Sequence, residues 1–98
     1  MKLNSKQRKY LRSKAHHLKP VVIIGKSDFS ESIVDTIDSC LSSHELIKVK
    51  FAHHKDKKKD IIDKINTSTN SECVGFIGNI SIIFRQNSDT DRRIYKID

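Results

Sequence analysis

The chain has 98 residues, two cysteines, 36% hydrophobic residues and a formal net charge of +7 at pH 7. This length allows one small domain with a single core and excludes a second domain with a separate activity. No apolar run approaches the roughly 20 residues of a membrane-spanning helix, and the basic N-terminus lacks the apolar segment of a secretory signal. We therefore expect a cytoplasmic protein without membrane contact. Its isolated cysteines, Cys40 and Cys73, are predicted to be free buried thiols, with a structural disulfide as the alternative.

The first predicted helix begins near Asn4 and ends before Pro20. Asn4 and Gln7 have the spacing of a capping box. An apolar stripe at helical spacing (Leu11, Ala15, Leu18) predicts the buried face, and the proline disfavours helical backbone at the residue before it. The next four residues, 21–24, are all β-branched, which is typical of a strand covered on both faces.

Helices and strands alternate in the rest of the chain. Ser30 is a good N-cap for a second helix that ends near Ser43. Alternation over 47–51 predicts a half-exposed strand with Lys48 and Lys50 outward, and isoleucines at helical spacing over 61–65 predict a third helix. Gly78-Asn79 is a hairpin signal between two further strands.

This order, α-β-α-β-α-β-β, predicts a compact α/β domain. Helices between strands imply parallel crossovers, and the last two strands form an antiparallel hairpin, so we expect a mixed four-stranded sheet with the helices packed on it. We place the domain at residues 1–86. Residues 87–98 form a polar C-terminal tail, predicted to be loose, in which Ile94 to Ile97 is compatible with a short edge strand.

Positive charge is concentrated at the N-terminal end. Residues 1–26 contain eight Lys or Arg and no Asp or Glu, whereas the rest of the chain has eleven basic and twelve acidic residues. A solvated helix surface normally carries acids interspersed with its bases, and these are absent here. On a helical projection Lys6, Lys9, Arg12 and His16 lie together, opposite the apolar stripe. This arrangement predicts an anion-binding surface, for which a polyanion is the usual partner.

A second candidate site is the loop that follows the first strand. Gly25 allows a sharp turn and close approach of a ligand to the backbone, although most glycines after strands are simply turn residues. The amide groups of the loop and of the next helix point toward the same space as Lys26, which is a natural position for a phosphate. A further basic run at Lys55 and Lys57 to Lys59 either extends the basic surface or is a solvated run beside nearby aspartates.

Catalytic and metal-binding patterns are not found in the sequence. The five histidines lack metal-ligand spacing, and no nucleophile, nucleotide-binding or paired-carboxylate motif is present. We therefore predict no enzyme activity, no metal and no cofactor.

Several motifs resemble, in order and spacing, the CRM domain (chloroplast RNA splicing and ribosome maturation) in its stand-alone bacterial form, the YhbY family. They span Leu3 to Gln86 and include Lys6-Gln7-Arg8, Tyr10-Leu11-Arg12, Ala15 to Val21, Ile24-Gly25-Lys26, Glu45 to Lys50 and Gly78-Asn79. The resemblance implies a fold similar to the C-terminal domain of translation initiation factor three. It also implies structured RNA as the ligand, in precursors of the large ribosomal subunit. Members carry a Gly-x-x-Gly loop after the first strand; here Asp28 replaces the second glycine.

The sequence therefore predicts a monomeric, non-catalytic RNA-binding protein that assists large-subunit assembly. Binding is expected to depend on phosphate contacts and RNA shape with little reading of bases, because aromatic residues are few. The alternatives are a module that docks on an acidic ribosomal or GTPase partner, and a DNA-binding module, for which a helix-turn-helix pattern is missing. The predicted RNA-binding residues are Lys6, Arg8, Lys9, Arg12, His16, Lys19, Gly25, Lys26 and Ser27.

Overall fold

The computed structural model describes residues 2–25, 30–52 and 56–97, and its elements follow the predicted order. Helices α1, α2 and α3 span Ser5–Ala15, Glu31–His44 and Lys58–Thr69. Strands β1 to β4 span Pro20–Ile24, Leu46–Phe51, Glu72–Ile77 and Ile80–Phe84, and a short 3-10 helix follows at Thr90–Arg92. The predicted α/β fold with a mixed four-stranded sheet is confirmed.

Local chemistry fixes where α1 and α2 begin. The Asn4 side chain accepts from the Gln7 amide at 2.8 Å, and the Gln7 side chain accepts from the Asn4 amide at 2.9 Å, so the capping box is present. Ser30 caps α2 through the Ile33 amide. The predicted end of α1 at Pro20 is wrong: the helix ends at Ala15, because the Leu18 amide bonds back to the Ala15 carbonyl and the chain turns there.

The sheet has the order β1-β2-β4-β3. The first two strands are parallel, as expected for strands joined by a helix, and β4 runs antiparallel to both of its neighbours. The hairpin between β3 and β4 turns at Gly78, whose φ of +58° is a left-handed conformation that glycine adopts without strain.

Each side of the sheet has its own core. Helices α2 and α3 pack on one side, around Ile37, Ile47, Val49, Ile65 and Ile83. On the other side α1 packs through Leu11 and Ala15, together with the end of the tail. We call these the α2/α3 side and the α1 side. Alternation along the strands assigns every second residue to each of them.

Two expectations for the strands are wrong. Strand β1 is an edge strand, not one covered on both faces, and its Val21 and Ile23 are 41% and 63% exposed. Lys48 is 9% exposed and not outward in solvent, because β2 is a central strand and the end of α1 lies over it. Its Nζ donates to the Leu18 carbonyl at 3.0 Å. Lys50 is exposed, as predicted.

The C-terminal tail returns to the domain. Glu45, which is fully buried, accepts from the backbone amides of Asn87, Ile94 and Tyr95. The side chain of Ile97 is buried in the α1-side core. The tail is therefore fastened to the domain, and residues 94–97 form no edge strand.

Candidate nucleic-acid interface

Helix α1 presents Lys6, Lys9 and His16 to solvent and Arg12 at the margin beside strand β3. Leu11 and Ala15 are fully buried against the strands. Because side chains opposite a buried stripe point to solvent, the predicted basic residues lie on the exposed side. The structure shows Lys6, Lys9, Arg12 and His16 all exposed. We call these four residues the α1 basic face.

The α1 basic face has no internal counterions within the described ranges. The ion pairs found there are Arg85 with Asp38 and Arg92 with Asp89, both far along the chain from α1. Neither lysine of the face has a hydrogen-bond partner among the described residues. An array of unpaired cations is electrostatically unfavourable in isolation and is relieved when an anion binds.

Arg8 has a different environment from the residues of the α1 basic face. It is half-buried, and its guanidinium donates to the Leu3 carbonyl at 2.7 Å and to the Ser5 hydroxyl at 3.3 Å. The Leu3 amide in turn donates to both carboxylate oxygens of Glu72, at 3.0 and 2.8 Å. Arg8 and Glu72 thus fasten Leu3, two residues before α1, so the contacts of Arg8 position the start of the helix.

Arg12 lies across the adjacent strand β3. Its guanidinium donates to the Val74 carbonyl at 3.3 Å. A Cβ atom built on Gly75 would stand 3.2 Å from the Arg12 Cδ, closer than ordinary van der Waals contact. The missing side chain at this position therefore makes room for the arginine stem, which carries the guanidinium over the edge of the sheet.

Of the remaining predicted site residues, the structure describes Lys19 and Gly25, which flank the two ends of β1. Lys19 is exposed just before the strand, and Gly25 directly follows it. Gly25 has no positive φ, and a Cβ built on it meets no described atom within 4 Å. Lys26, Ser27 and the Asp28 substitution of the loop lie outside the described residues.

The basic run that opens α3 is engaged in part by the hairpin. Lys58 Nζ donates to the Gly78 carbonyl at 2.8 Å and lies 5.4 Å from the centre of the Phe76 ring. Lys57 and Lys59 are exposed. This run is separated from α1 by the whole sheet, because α3 packs on the opposite side.

Sequence reasoning did not include Lys48 and Lys50 among the site residues. Both are on the α1 side of β2, Lys48 held by a carbonyl and Lys50 in solvent. The available signal was the alternation itself, since two lysines two residues apart must share one side of a strand.

Metal binding and thiol chemistry have little support among the described residues. They contain no group of three or more His, Cys, Asp or Glu that is placed to hold a metal ion. Cys40 and Cys73 are both free, as predicted, but they are half-buried and not buried. Burial raises the pKa of the Cys73 thiol above its ordinary value, which disfavours the reactive thiolate. No helix in the described part of the chain is long and apolar enough to cross a membrane.

Comparisons with known proteins agree with one another. The chain is 38% identical over 88 residues to a protein of Haemophilus influenzae named RNA-binding protein, covering 89% of both chains. It is 32% identical over 98 residues to PA4753 of Pseudomonas aeruginosa, named a probable RNA-binding protein, covering 99% of this chain and 94% of the relative. The solution structure of SAV1595 from Staphylococcus aureus is similar with a TM-score of 0.80 and 35% identity, over 94% of this chain and 97% of that one. The model of the CRS1 / YhbY (CRM) domain family matches residues 3–85. The chain therefore belongs to the CRS1/YhbY (CRM) domain family.

Proposed function

We propose that this protein binds structured RNA without catalysis and assists assembly of the large ribosomal subunit, as a monomer in the cytoplasm. The observation that carries the proposal is the α1 basic face, which is exposed and lacks carboxylate partners in the described part of the chain. Relatives that match along most of their length are named RNA-binding proteins. The ribosomal assignment follows from the resemblance of the motifs and is the finer part of the proposal.

Binding is expected to be electrostatic in the first place. Each phosphate that a lysine or arginine neutralises releases condensed counterions, so affinity falls as salt rises. Lys6, Lys9 and Arg12 are placed to contact phosphates along one surface, and we expect further contacts from Lys19, Gly25, Lys26 and Ser27. A glycine at position 25 that the fold itself does not require is consistent with close approach of a ligand.

The test compares two triple charge reversals. Lys6→Glu, Lys9→Glu and Arg12→Glu together remove the α1 basic face, while Lys57→Glu, Lys59→Glu and Lys64→Glu make the same change in charge on α3. We expect the first to abolish binding of structured rRNA fragments at moderate salt and the second to leave most of it. Glutamate is a good helix former and is favourable at Lys6 in the first turn of α1, but Arg12 lies in the last turn, where a carboxylate opposes the helix dipole, so the fold of both variants must be verified. Circular dichroism checks this.

A milder pair of variants isolates the phosphate contacts. Lys6→Gln with Lys9→Gln keeps the helix and is expected to lower the slope of log affinity against log salt by about 1.4, since each contact contributes about 0.7. An unchanged slope would end the assignment to α1. Equal losses for the α1 and α3 reversals would instead show that the lysine run of α3 belongs to the same surface.

The ribosomal part has its own experiment. Crosslinking in cells, followed by sequencing of the attached RNA, should recover large-subunit rRNA, and depletion should cause incomplete large subunits to accumulate in sucrose gradients. Pull-downs treated with ribonuclease address the alternative partner. Recovery of ribosomal proteins or GTPases that survives the nuclease would favour a protein-docking module over RNA binding.

A further inference from the structure

Half of the α1 side of the sheet is left uncovered by α1 and the tail. The helix packs where β2 begins and β4 ends, around Leu46 and Phe84. Toward the opposite end, one residue from each strand forms a continuous row by direct pairing: Ile23 of β1, Lys50 of β2, Ile80 of β4 and Ile77 of β3. Directly opposed residues share one side of a sheet. We call these four residues the open row.

The open row is unusually exposed for its composition. Ile23 and Ile77 are 63% and 55% exposed, and Ile80 is half-buried. Ile80 and Ile77 lie side by side in neighbouring strands, and Ile23 lies on the same side of the sheet beyond the Lys50 stem. Exposed apolar patches of this kind mark interaction sites more often than scattered single residues do.

The charge at the open row favours an anionic partner. Lys50 is exposed and has no hydrogen bond or ion pair with any described residue. The only acidic residue in the four strands is Glu72. It lies at the other end of the sheet, opposite Phe84, and its carboxylate is bonded to the Leu3 amide. Among the described residues, a cation thus stands in the middle of an apolar surface without a counterion.

The open row is also continuous with the proposed RNA surface. In the adjacent row of the sheet Lys48 pairs with Ile82, which pairs with Gly75, and Arg12 lies over Gly75. At the other margin Gly25 follows β1 two residues after Ile23. The open row therefore lies between the cations of α1 and Gly25.

We propose that the open row binds unpaired bases of the RNA whose phosphates contact α1; this inference rests on the proposed function. The flat faces of bases are apolar and match the flat aliphatic surface of Ile23, Ile80 and Ile77, so contact removes apolar area from water. Lys50 is placed to neutralise a phosphate between two such bases. Bases in a duplex are stacked on each other, so the row selects single-stranded loops or ends.

A second copy of this chain fits the row less well. A twofold interface places the same patch on both partners, so Lys50 of one copy would face Lys50 of the other across four strands whose one acid, Glu72, lies at the far end. Like charges opposed in this way are unfavourable. RNA supplies both the apolar planes and the negative charge.

The first test observes the row directly. Methyl NMR spectra of the protein labelled at isoleucine are recorded while a short single-stranded RNA, or the duplex that it forms with its complement, is added. Base contact is expected to shift the Ile23, Ile77 and Ile80 methyl signals with the single strand and much less with the duplex. Ile94, also 55% exposed but located in the tail, is the internal control. Shifts that appear with rising protein concentration in the absence of RNA would assign the row to self-association and overturn the proposal.

The second test uses variants that keep strand propensity. Ile23→Thr with Ile77→Thr removes apolar area but retains β-branched residues, and Ile94→Thr is the matched control. We expect the double variant to weaken single-strand binding about tenfold without changing the salt slope. Lys50→Gln should lower the slope by about 0.7, whereas Lys64→Gln on α3 should not change it.

The outcomes separate the two proposals. If the wild type binds RNA and the α1 reversal abolishes binding, but the isoleucine variant behaves like Ile94→Thr and the methyl signals do not move, the open row is excluded and the proposed function stands. If the wild type binds no RNA, the proposed function fails and the inference fails with it.

Discussion

Charged side chains are hydrogen-bonded where the C-terminal tail meets α2, but they are solvated on the exposed surface of α1. We call the first region, around Glu45 and Arg85, the corner. At the corner, buried Glu45 accepts from three backbone amides. Arg85 donates to the carboxylate and the carbonyl of Asp38, to the Thr69 carbonyl and to the Ser42 hydroxyl. On α1, Lys6 and Lys9 are left in solvent with no partner among the described residues.

This contrast shows that charge serves two purposes in one small domain. A buried charged group that is fully hydrogen-bonded holds distant segments together, and its removal leaves unsatisfied donors or acceptors. A solvated cation contributes almost nothing to stability, and its field is available to a ligand. Substitutions at the corner should therefore change stability, and substitutions on α1 should change binding.

The largest effect is expected from Glu45→Gln. The amide replaces an acceptor oxygen by a donor group that faces the amides of the tail, so the free energy of unfolding should fall by about 2–4 kcal/mol in chemical denaturation. RNA affinity, measured where the variant is still folded, should be unchanged. Glu31→Gln, at an exposed residue of α2, is the control. A loss no greater than that of the control would mean that this carboxylate does not fasten the tail.

A smaller loss is expected from Arg85→Met. The stem can remain in place, but Thr69, Asp38 and Ser42 lose a shared donor, so stability should fall by about 1–3 kcal/mol. Arg92→Met removes an ion pair whose arginine side chain is 77% exposed, and such pairs contribute little. Equal melting temperatures for the two variants would contradict the expectation that the less exposed Arg85 stabilises the protein more than Arg92.

The single change Lys9→Ala should act in the opposite sense to the corner variants. We expect the free energy of unfolding to stay within about 0.5 kcal/mol of the wild type, because the side chain is solvated. The salt slope of RNA binding should fall by about 0.7. Lys64→Ala on α3 is the matched control for both measurements. An equal decrease of the salt slope in both variants would mean that α1 does not contact RNA phosphates more than α3 does.

No loss of stability is expected from Gly25→Ala. A Cβ at this position meets no described atom within 4 Å and the backbone φ is not positive, so the substitution should be neutral or stabilise by up to about 1 kcal/mol. RNA affinity should decrease if the ligand approaches this backbone closely. Gly78→Ala is the contrasting variant, because its φ of +58° makes a side chain unfavourable there.

The sequence predicted those features of the fold that depend on neighbouring residues. The capping box of Asn4 and Gln7, the Ser30 cap and the Gly78 turn are short-range chemistry and are all present. The position of β1 at an edge was not predictable in this way, because four apolar β-branched residues suit a central strand equally well. Strand order is decided by packing between distant segments.

The same limit applies to the site. Helical spacing placed Lys6, Lys9, Arg12 and His16 on one exposed surface, and the structure has them there. Helical spacing did not distinguish Arg8 from these solvated cations, although Arg8 donates a hydrogen bond to the Leu3 carbonyl. Nor did it find the link between Glu45 and the tail, whose partners are 42 to 50 residues apart in the chain. No local pattern encodes such a pairing.

The close approach of Arg12 to Gly75 has an evolutionary consequence. A methyl group at position 75 would stand 3.2 Å from the Arg12 Cδ and displace the arginine stem. A mutation in the β3–β4 hairpin would therefore move a guanidinium that belongs to α1, and selection on the arginine would also act on the glycine. The two positions should change together as these proteins diverge.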